Sequence, residues 1–241
     1  MEKISIIISS YNYENYIESC ILSCIHQDGF NDYEIIVVDD GSTDNTHQIL
    51  QKYSDSIRFY ENSNHGLEYE LNFAISKAKG DYIVRVDADD KLDTQYLKTV
   101  YTKIKRSGSA FVYTEYFDIN ARDDIISRKE LPDFSVAEIQ SRGDFLATGT
   151  LYKKRELENV GLYNETIKNC GLENYELVLK LLRNNCKGCC IHKPLFYYRH
   201  HDKNLSLRRK NAIITYGDTL AEKFDLTRYQ TNTYHPWGLK I

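Results

Sequence analysis

Four short apolar runs alternate with helical patterns across the first hundred residues, and three of them break abruptly into polar or acidic residues. Ile4-Ser-Ile-Ile-Ile-Ser9, Tyr33-Glu-Ile-Ile-Val-Val38, Ile57–Tyr60 and Tyr82–Val86 are short and rich in β-branched side chains, as buried strands are. The spacing between them predicts helices over Glu14–His26, Thr43–Tyr53 and Leu67–Lys79. Ser42 or Thr43 caps the second with Asp44 in its first turn, and Gly80 stops the third. Such alternation dictates a parallel α/β sheet, in which ligands sit beyond the carboxyl ends of the strands. Here those ends carry Ser9–Asn12, Asp39-Asp40 and Asp87–Asp90, so three separate segments bring polar groups to one edge.

The last of these, Asp87-Ala88-Asp89-Asp90, is costly by itself because carboxylates at i, i+2 repel one another. A solvated loop would tolerate them. A hard divalent cation carrying a diphosphate would offset the cost, since carboxylate oxygens are its preferred ligands.

The second half is less regular. Strands are expected at Ala110–Tyr116, Ile125–Arg128, Thr148–Tyr152 and Cys189–Arg199, the last broken by Pro194, and helices at Ser135–Ser141 and Glu173–Arg183. No Gly/Ser/Pro linker interrupts the chain, so one continuous domain is expected over 1–206, with a C-terminal arm over 207–241. In that arm Tyr229, Tyr234, His235 and Trp237 suit either a docked tail or an aromatic acceptor platform.

Composition excludes some function classes. A net charge of −4 gives no electrostatic case for nucleic acid, and Arg208-Arg209-Lys210 is short enough to be a solvated helix face. No apolar run reaches membrane-span length, and Glu2 and Lys3 lead into the first strand without a secretory pattern. The expectation is a cytoplasmic protein, compatible with peripheral association at the inner face of a membrane. Cys20 and Cys24 fall i, i+4 on a helix as small apolar residues, and Cys186-Lys-Gly-Cys189 lacks the second pair that a zinc site needs. Reduced thiols are expected.

The motifs Ile4–Asn12, Glu34-Ile-Ile-Val-Val-Asp-Asp-Gly-Ser-Thr-Asp44, Ala78–Ile83 and Val86-Asp-Ala-Asp-Asp90 stand in an order and spacing that resembles the family 2 glycosyltransferases of the GT-A fold. A weaker likeness covers 148–206, through Gly149-Thr-Leu151, Gly161-Leu-Tyr-Asn164, Gly171–Leu182 and Pro194–His201. The resemblance implies an α/β GT-A domain with one Rossmann-like, mostly parallel sheet flanked by helices. Its nucleotide-sugar half would be 1–100 and its acceptor half 101–206. It implies inverting, metal-dependent sugar transfer from a nucleotide diphosphate-sugar to a glycan or glycolipid hydroxyl, as in bacterial-type surface glycan synthesis.

Carried onto these residues, the donor would be met by Ser9, Tyr11, Asp39, Asp40, Asp87 and Ala88. Tyr11 would stack on the base, Asp40 would accept from its edge, and Asp87 would lie near the ribose. Asp39 and Asp40 also read as a turn-and-cap pair before Gly41. Asp89, with His201 or its rival His200, would bind Mn²⁺ or Mg²⁺. Asp90 would stand behind them or cap a helix beginning near Asp93.

Two positions depart from the pattern. The family commonly carries Glu-Asp where this chain has Glu173-Asn174, and asparagine cannot take a proton at neutral pH. The base is therefore expected at Glu173, with Glu176 on the same helical face as the alternative. Leu71 stands where the family usually has an arginine or lysine that contacts the nucleotide; His65, Lys91 or Arg85 would have to compensate. These departures motivate the second reading, a degenerate nucleotide-sugar-binding protein without transferase activity.

Overall fold

The chain alternates β1 (Ile4–Ser10), α1 (Ile17–Ile25), β2 (Tyr33–Asp39), α2 (Thr46–Gln51), β3 (Arg58–Glu61), α3 (Leu67–Lys77) and β4 (Tyr82–Arg85) before the acidic stretch. It continues as β5 (Lys91–Leu92), α4 (Tyr96–Ser107), β6 (Phe111–Ile119), β7 (Ile125–Lys129), α5 (Val136–Arg142) and β8 (Leu151–Lys153). Last come α6 (Lys154–Asn159), α7 (Glu173–Arg183), β9 (Gly188–Arg199), α8 (Leu205–Arg208) and α9 (Lys210–Lys223). This computed structural model describes residues 3–142, 146 and 148–226, so Tyr229, Tyr234, His235 and Trp237 lie outside the described residues.

One sheet runs in the order β3-β2-β1-β4-β8-β6-β9-β5, with β7 paired to β6. The strands β1 to β4 of the first half are all parallel to one another. Antiparallel pairs enter with β8, β5 and β7, while β6 and β9 stay parallel. Successive residues Ile6, Ile7 and Ile8 of β1 are all fully buried, so both faces of the strand are covered. A strand covered on both faces reads as a continuous apolar run, and each such side chain contributes about 1.5–3 kcal/mol by burial. From β1 the chain steps one way to β2 and β3, then returns to place β4 on the other side. Strand order reverses there, which opens a crevice at the carboxyl ends of β1 and β4.

Both of the first two helices begin three residues later than their apolar spacing predicts. Asn12, in the left-handed region at φ 62°, turns the chain so that residues 12–14 face the 42–46 loop. The backbone N–H groups of Asn12, Tyr13 and Glu14 donate to Ser42 Oγ, Thr46 Oγ1 and Asp44 Oδ2. In return, Asn12 Oδ1 accepts from Thr43 N–H and Glu14 Oε2 from Asn45 N–H. These groups would otherwise start the two helices; they lock two sheet-edge loops together instead. Asn45, not Ser42 or Thr43, precedes α2.

In β9 the pairing with β6 jumps from Ile191 opposite Thr114 to Pro194 opposite Glu115, which absorbs the proline as a bulge. The segment expected as an arm is joined to the body by α9, whose Ile213 and Leu220 are fully buried in the core. Among the described residues no helix is long and apolar enough to cross a membrane.

Candidate active site

At the carboxyl edge of β1 and β4 lies a cleft of about 450 Å³, lined among others by Ser9, Tyr11, Asp40, Asp87, Ala88, Asp89, Glu173 and His201. That is within the size range of sites for nucleotide-sized ligands. Eight of the expected residues therefore meet in one place. Asp39, Glu176, His200, Leu71 and Lys91 do not line it, each for a visible reason.

The acidic stretch supplies the floor. Asp89 is buried, and its Oδ2 lies 2.8 Å from His201 Nε2 and 3.5 Å from Asn204 Nδ2. His201 Nδ1 accepts the Lys203 backbone N–H at 3.1 Å, which leaves Nε2 as the ring nitrogen that faces Asp89 and the cleft. His200 points elsewhere, with Nε2 2.7 Å from Asp118 Oδ1. Asp90 neither reaches the cleft nor caps a helix: it accepts Thr148 Oγ1–H at 2.7 Å and the Arg199 N–H at 2.9 Å, tying the end of β9 to this loop. Arg199 is itself buried, donates from Nε to the Asp89 carbonyl at 2.6 Å, and lies 5.0 Å over the Tyr16 ring. Burial pushes Asp87 up to about 6, with Asp89 adding to the rise and Arg85 opposing it. Burial and the same acidic neighbours push Asp90 well above the usual carboxylate range. Crowded acids with oxygen and imidazole donors aimed into a cleft fit a divalent cation.

Arg85 links the floor to the opposite wall. Its Nε donates to Asp87 Oδ1 at 2.9 Å and its Nη1 to Glu173 Oε1 at 2.8 Å, with the guanidinium almost wholly buried. The loop ahead of α7 sets Glu173 in place. Glu68 accepts the Asn169 and Cys170 N–H groups at 2.7 and 2.8 Å, and Gly171 turns at φ 76°, where an added Cβ would meet Ile213 at 2.7 Å. Glu173 Oε2 has the Cys170 thiol at 4.0 Å, and one ligating atom from each of Glu173, Cys170 and Glu68 lies within 4.8 Å of the other two. Asn174 also lines the cleft and accepts the Tyr163 hydroxyl at 3.2 Å.

Glu176, the alternative base, is turned away. It accepts Tyr216 Oη–H at 2.6 Å and Lys223 Nζ–H at 2.7 Å, both from α9. Burial raises its affinity for a proton, but these two partners outweigh that and lower its pKa. The stability it contributes is thus present at neutral pH and fades as pH falls through the carboxylate range. Glu176→Ala should destabilise the fold by roughly 1–3 kcal/mol, because Tyr216, Lys223 and Asn164 Nδ2, which also donates to it at 3.3 Å, all lose their acceptor. The measurement is thermal unfolding beside donor binding; a variant that loses donor binding while keeping its melting temperature would contradict this role.

Asp40, expected to meet the nucleotide, accepts the His65 and Gly66 N–H groups at 2.6 and 2.9 Å and still borders the cleft. Asp39 serves the turn instead: its Oδ1 accepts both Ser42 N–H and Ser42 Oγ–H. Leu71 is a core residue, 1% exposed. Lys91 pairs with Asp123 at 3.1 Å, so of the three compensating candidates only Arg85 stands in the cleft. The bridging role of Arg85, the Asn204 amide and the Tyr16 ring, 4.7 Å from His201, were not anticipated as parts of the site. An arginine inside an apolar strand was the one available signal.

Residues 5–167 match the family described as Glycosyl transferase family 2. The chain belongs to that family. Among its relatives is glycosyltransferase GlyA of Streptococcus pneumoniae, 29% identical over 224 residues, or 85% of this chain and 32% of GlyA. The family 2 chain thus spans about a third of that relative's length. TarS of Staphylococcus aureus, solved in complex with UDP-GlcNAc, superposes with a TM-score of 0.70 at 24% identity, over 85% of this chain and 60% of that one. The mannosyltransferase PcManGT from Pyrobaculum calidifontis, solved with GDP-Man and Mn²⁺, superposes at 0.71 and 15% identity, over 94% and 65%. These likenesses establish the α/β GT-A fold, with the curled sheet flanked by helices that the alternation of elements implied.

Proposed function

We propose that this chain transfers a sugar from a nucleotide diphosphate-sugar to an acceptor hydroxyl with inversion, using Mn²⁺ or Mg²⁺. The supporting observation is the meeting of Asp89 and His201 with Glu173 across one cleft, joined by Arg85. Asp89 and His201 would hold the ion, and Asp87 the ribose side of the donor. When bound, the ion supplies Lewis-acid neutralisation of the departing diphosphate. The acceptor oxygen forms the new bond to the anomeric carbon as the bond to the diphosphate breaks, with the electron pair leaving on the phosphate oxygen. Glu173 Oε2 takes the hydroxyl proton, while Arg85 keeps Oε1 oriented.

A bacterial-type surface glycan or glycolipid is the proposed acceptor class. It is supported by TarS, a poly(ribitol-phosphate) β-N-acetylglucosaminyltransferase, which is 32% identical over 51% of this chain. Asn174, in the cleft where the family's pattern has an aspartate, favours the second reading, a donor-binding protein that does not transfer.

UDP-GlcNAc and GDP-Man are the first donors to test, by calorimetry with Mn²⁺ and with a chelator. Mn²⁺-dependent binding followed by transfer, or by slow donor hydrolysis, is expected. Binding without turnover over a broad acceptor panel would leave the second reading standing.

A further inference from the structure

Three titratable residues beside the donor wall have no part in the transfer reading as a set. Asp40 follows β2, His65 lies in the loop between β3 and α3, and Glu70 sits in the first turn of α3. One ligating atom of each lies within 4.8 Å of the other two. Glu70 is wholly buried, yet its Oε1 has no hydrogen-bond partner, although Oε2 accepts Asn62 Nδ2–H at 2.7 Å. A buried carboxylate oxygen without a donor is destabilising unless a proton or a cation meets it.

The geometry favours a cation. His65 Nδ1 is 3.6 Å from Glu70 Oε1, too long for a good hydrogen bond. It is close to the edge of about 3.4 Å between two ligands of a tetrahedral ion with bonds near 2.1 Å. Each Asp40 oxygen accepts one backbone N–H and keeps a further lone pair. The His65 side chain is 45% exposed, which gives an ion a way in. Two carboxylates and an imidazole with one open position are a zinc-type donor set.

We propose that Asp40, His65 and Glu70 bind a divalent transition-metal ion of the zinc class, stapling the β3–α3 loop to the end of β2. This ion is distinct from the one at Asp89 and His201. The rival occupant is a proton: burial pushes Glu70 up to about 8, with Asp40 adding to the rise, and a neutral carboxyl shared with Asp40 would also satisfy Oε1.

The test uses the full chain carrying Asp89→Asn, without nucleotide, titrated with Zn²⁺ by calorimetry and followed by thermal unfolding. Saturable Zn²⁺ binding that raises the melting temperature is expected. Adding His65→Ala, a change at a half-exposed position that leaves the buried carboxylates in place, should weaken binding at least about tenfold and remove the thermal shift. Equal Zn²⁺ affinity with and without His65, or no Zn²⁺ binding at all, would overturn the proposal in favour of the shared proton.

Discussion

Asp89→Asn is expected to remove the divalent-ion dependence of donor binding and to lower kcat/KM for transfer by about a hundredfold to a thousandfold, the usual effect of deleting one electrostatic stabiliser of a leaving group. The change is nearly isosteric. The amide that replaces the carboxylate can still hydrogen-bond with His201 Nε2, and the main-chain carbonyl that Arg199 Nε reaches at 2.6 Å is untouched, so the buried end of β9 stays anchored. What goes is the charge at the one carboxylate held between His201 and Asn204. Calorimetry with and without Mn²⁺ separates the two effects. An Asp89→Asn chain that binds donor as tightly as the wild type in Mn²⁺, and as weakly in chelator, would remove Asp89 from the ion's ligands.

That the acids Asp87–Asp90 could be placed at a sheet edge in advance follows from how β1, β2 and β4 are buried, whereas the choice of Asp89 among them rests on the family resemblance. Strands covered on both faces must be continuous apolar runs, so Ile4–Ser9, Tyr33–Val38 and Tyr82–Val86 announce themselves, and so do the acids at their ends. Helix starts are legible only when the first turn's N–H groups have nowhere else to go. Asn12, Tyr13 and Glu14 donate across 30 or more residues to the next loop, which no local pattern contains. Glu173 and Glu176 share a helical face at i, i+3, and the sequence cannot say which of them the cleft meets. Tyr216 and Lys223, 40 and 47 residues further on, decide it by claiming Glu176. Glu70 was hidden for a related reason: an acid in a first turn reads as a partner of the helix dipole, and only packing shows it buried with one oxygen bare. Leu71 is the reverse case, since the departure from the family's cation is a side chain turned into the core.

Glu173→Gln tests the proton-accepting half of the chemistry and is expected to lower kcat by roughly 10²–10⁴-fold while leaving donor affinity near the wild-type value. Glutamine keeps an oxygen for Arg85 Nη1, so the guanidinium stays bonded to Asp87 and the donor side keeps its shape. It loses the one capacity that matters, since an amide oxygen does not take a proton at neutral pH. Asn174 cannot substitute, being an amide already and engaged with the Tyr163 hydroxyl. Glu176 cannot either, because reaching the cleft would require it to leave both Tyr216 and Lys223. A charge effect on the fold is separable from a proton-transfer effect. If Arg85 were merely left under-compensated, the melting temperature and donor affinity would move with kcat, whereas loss of the base moves kcat alone. Transfer at the wild-type rate by the Glu173→Gln chain would place proton acceptance outside α7 altogether, because no other carboxylate of that helix faces the cleft.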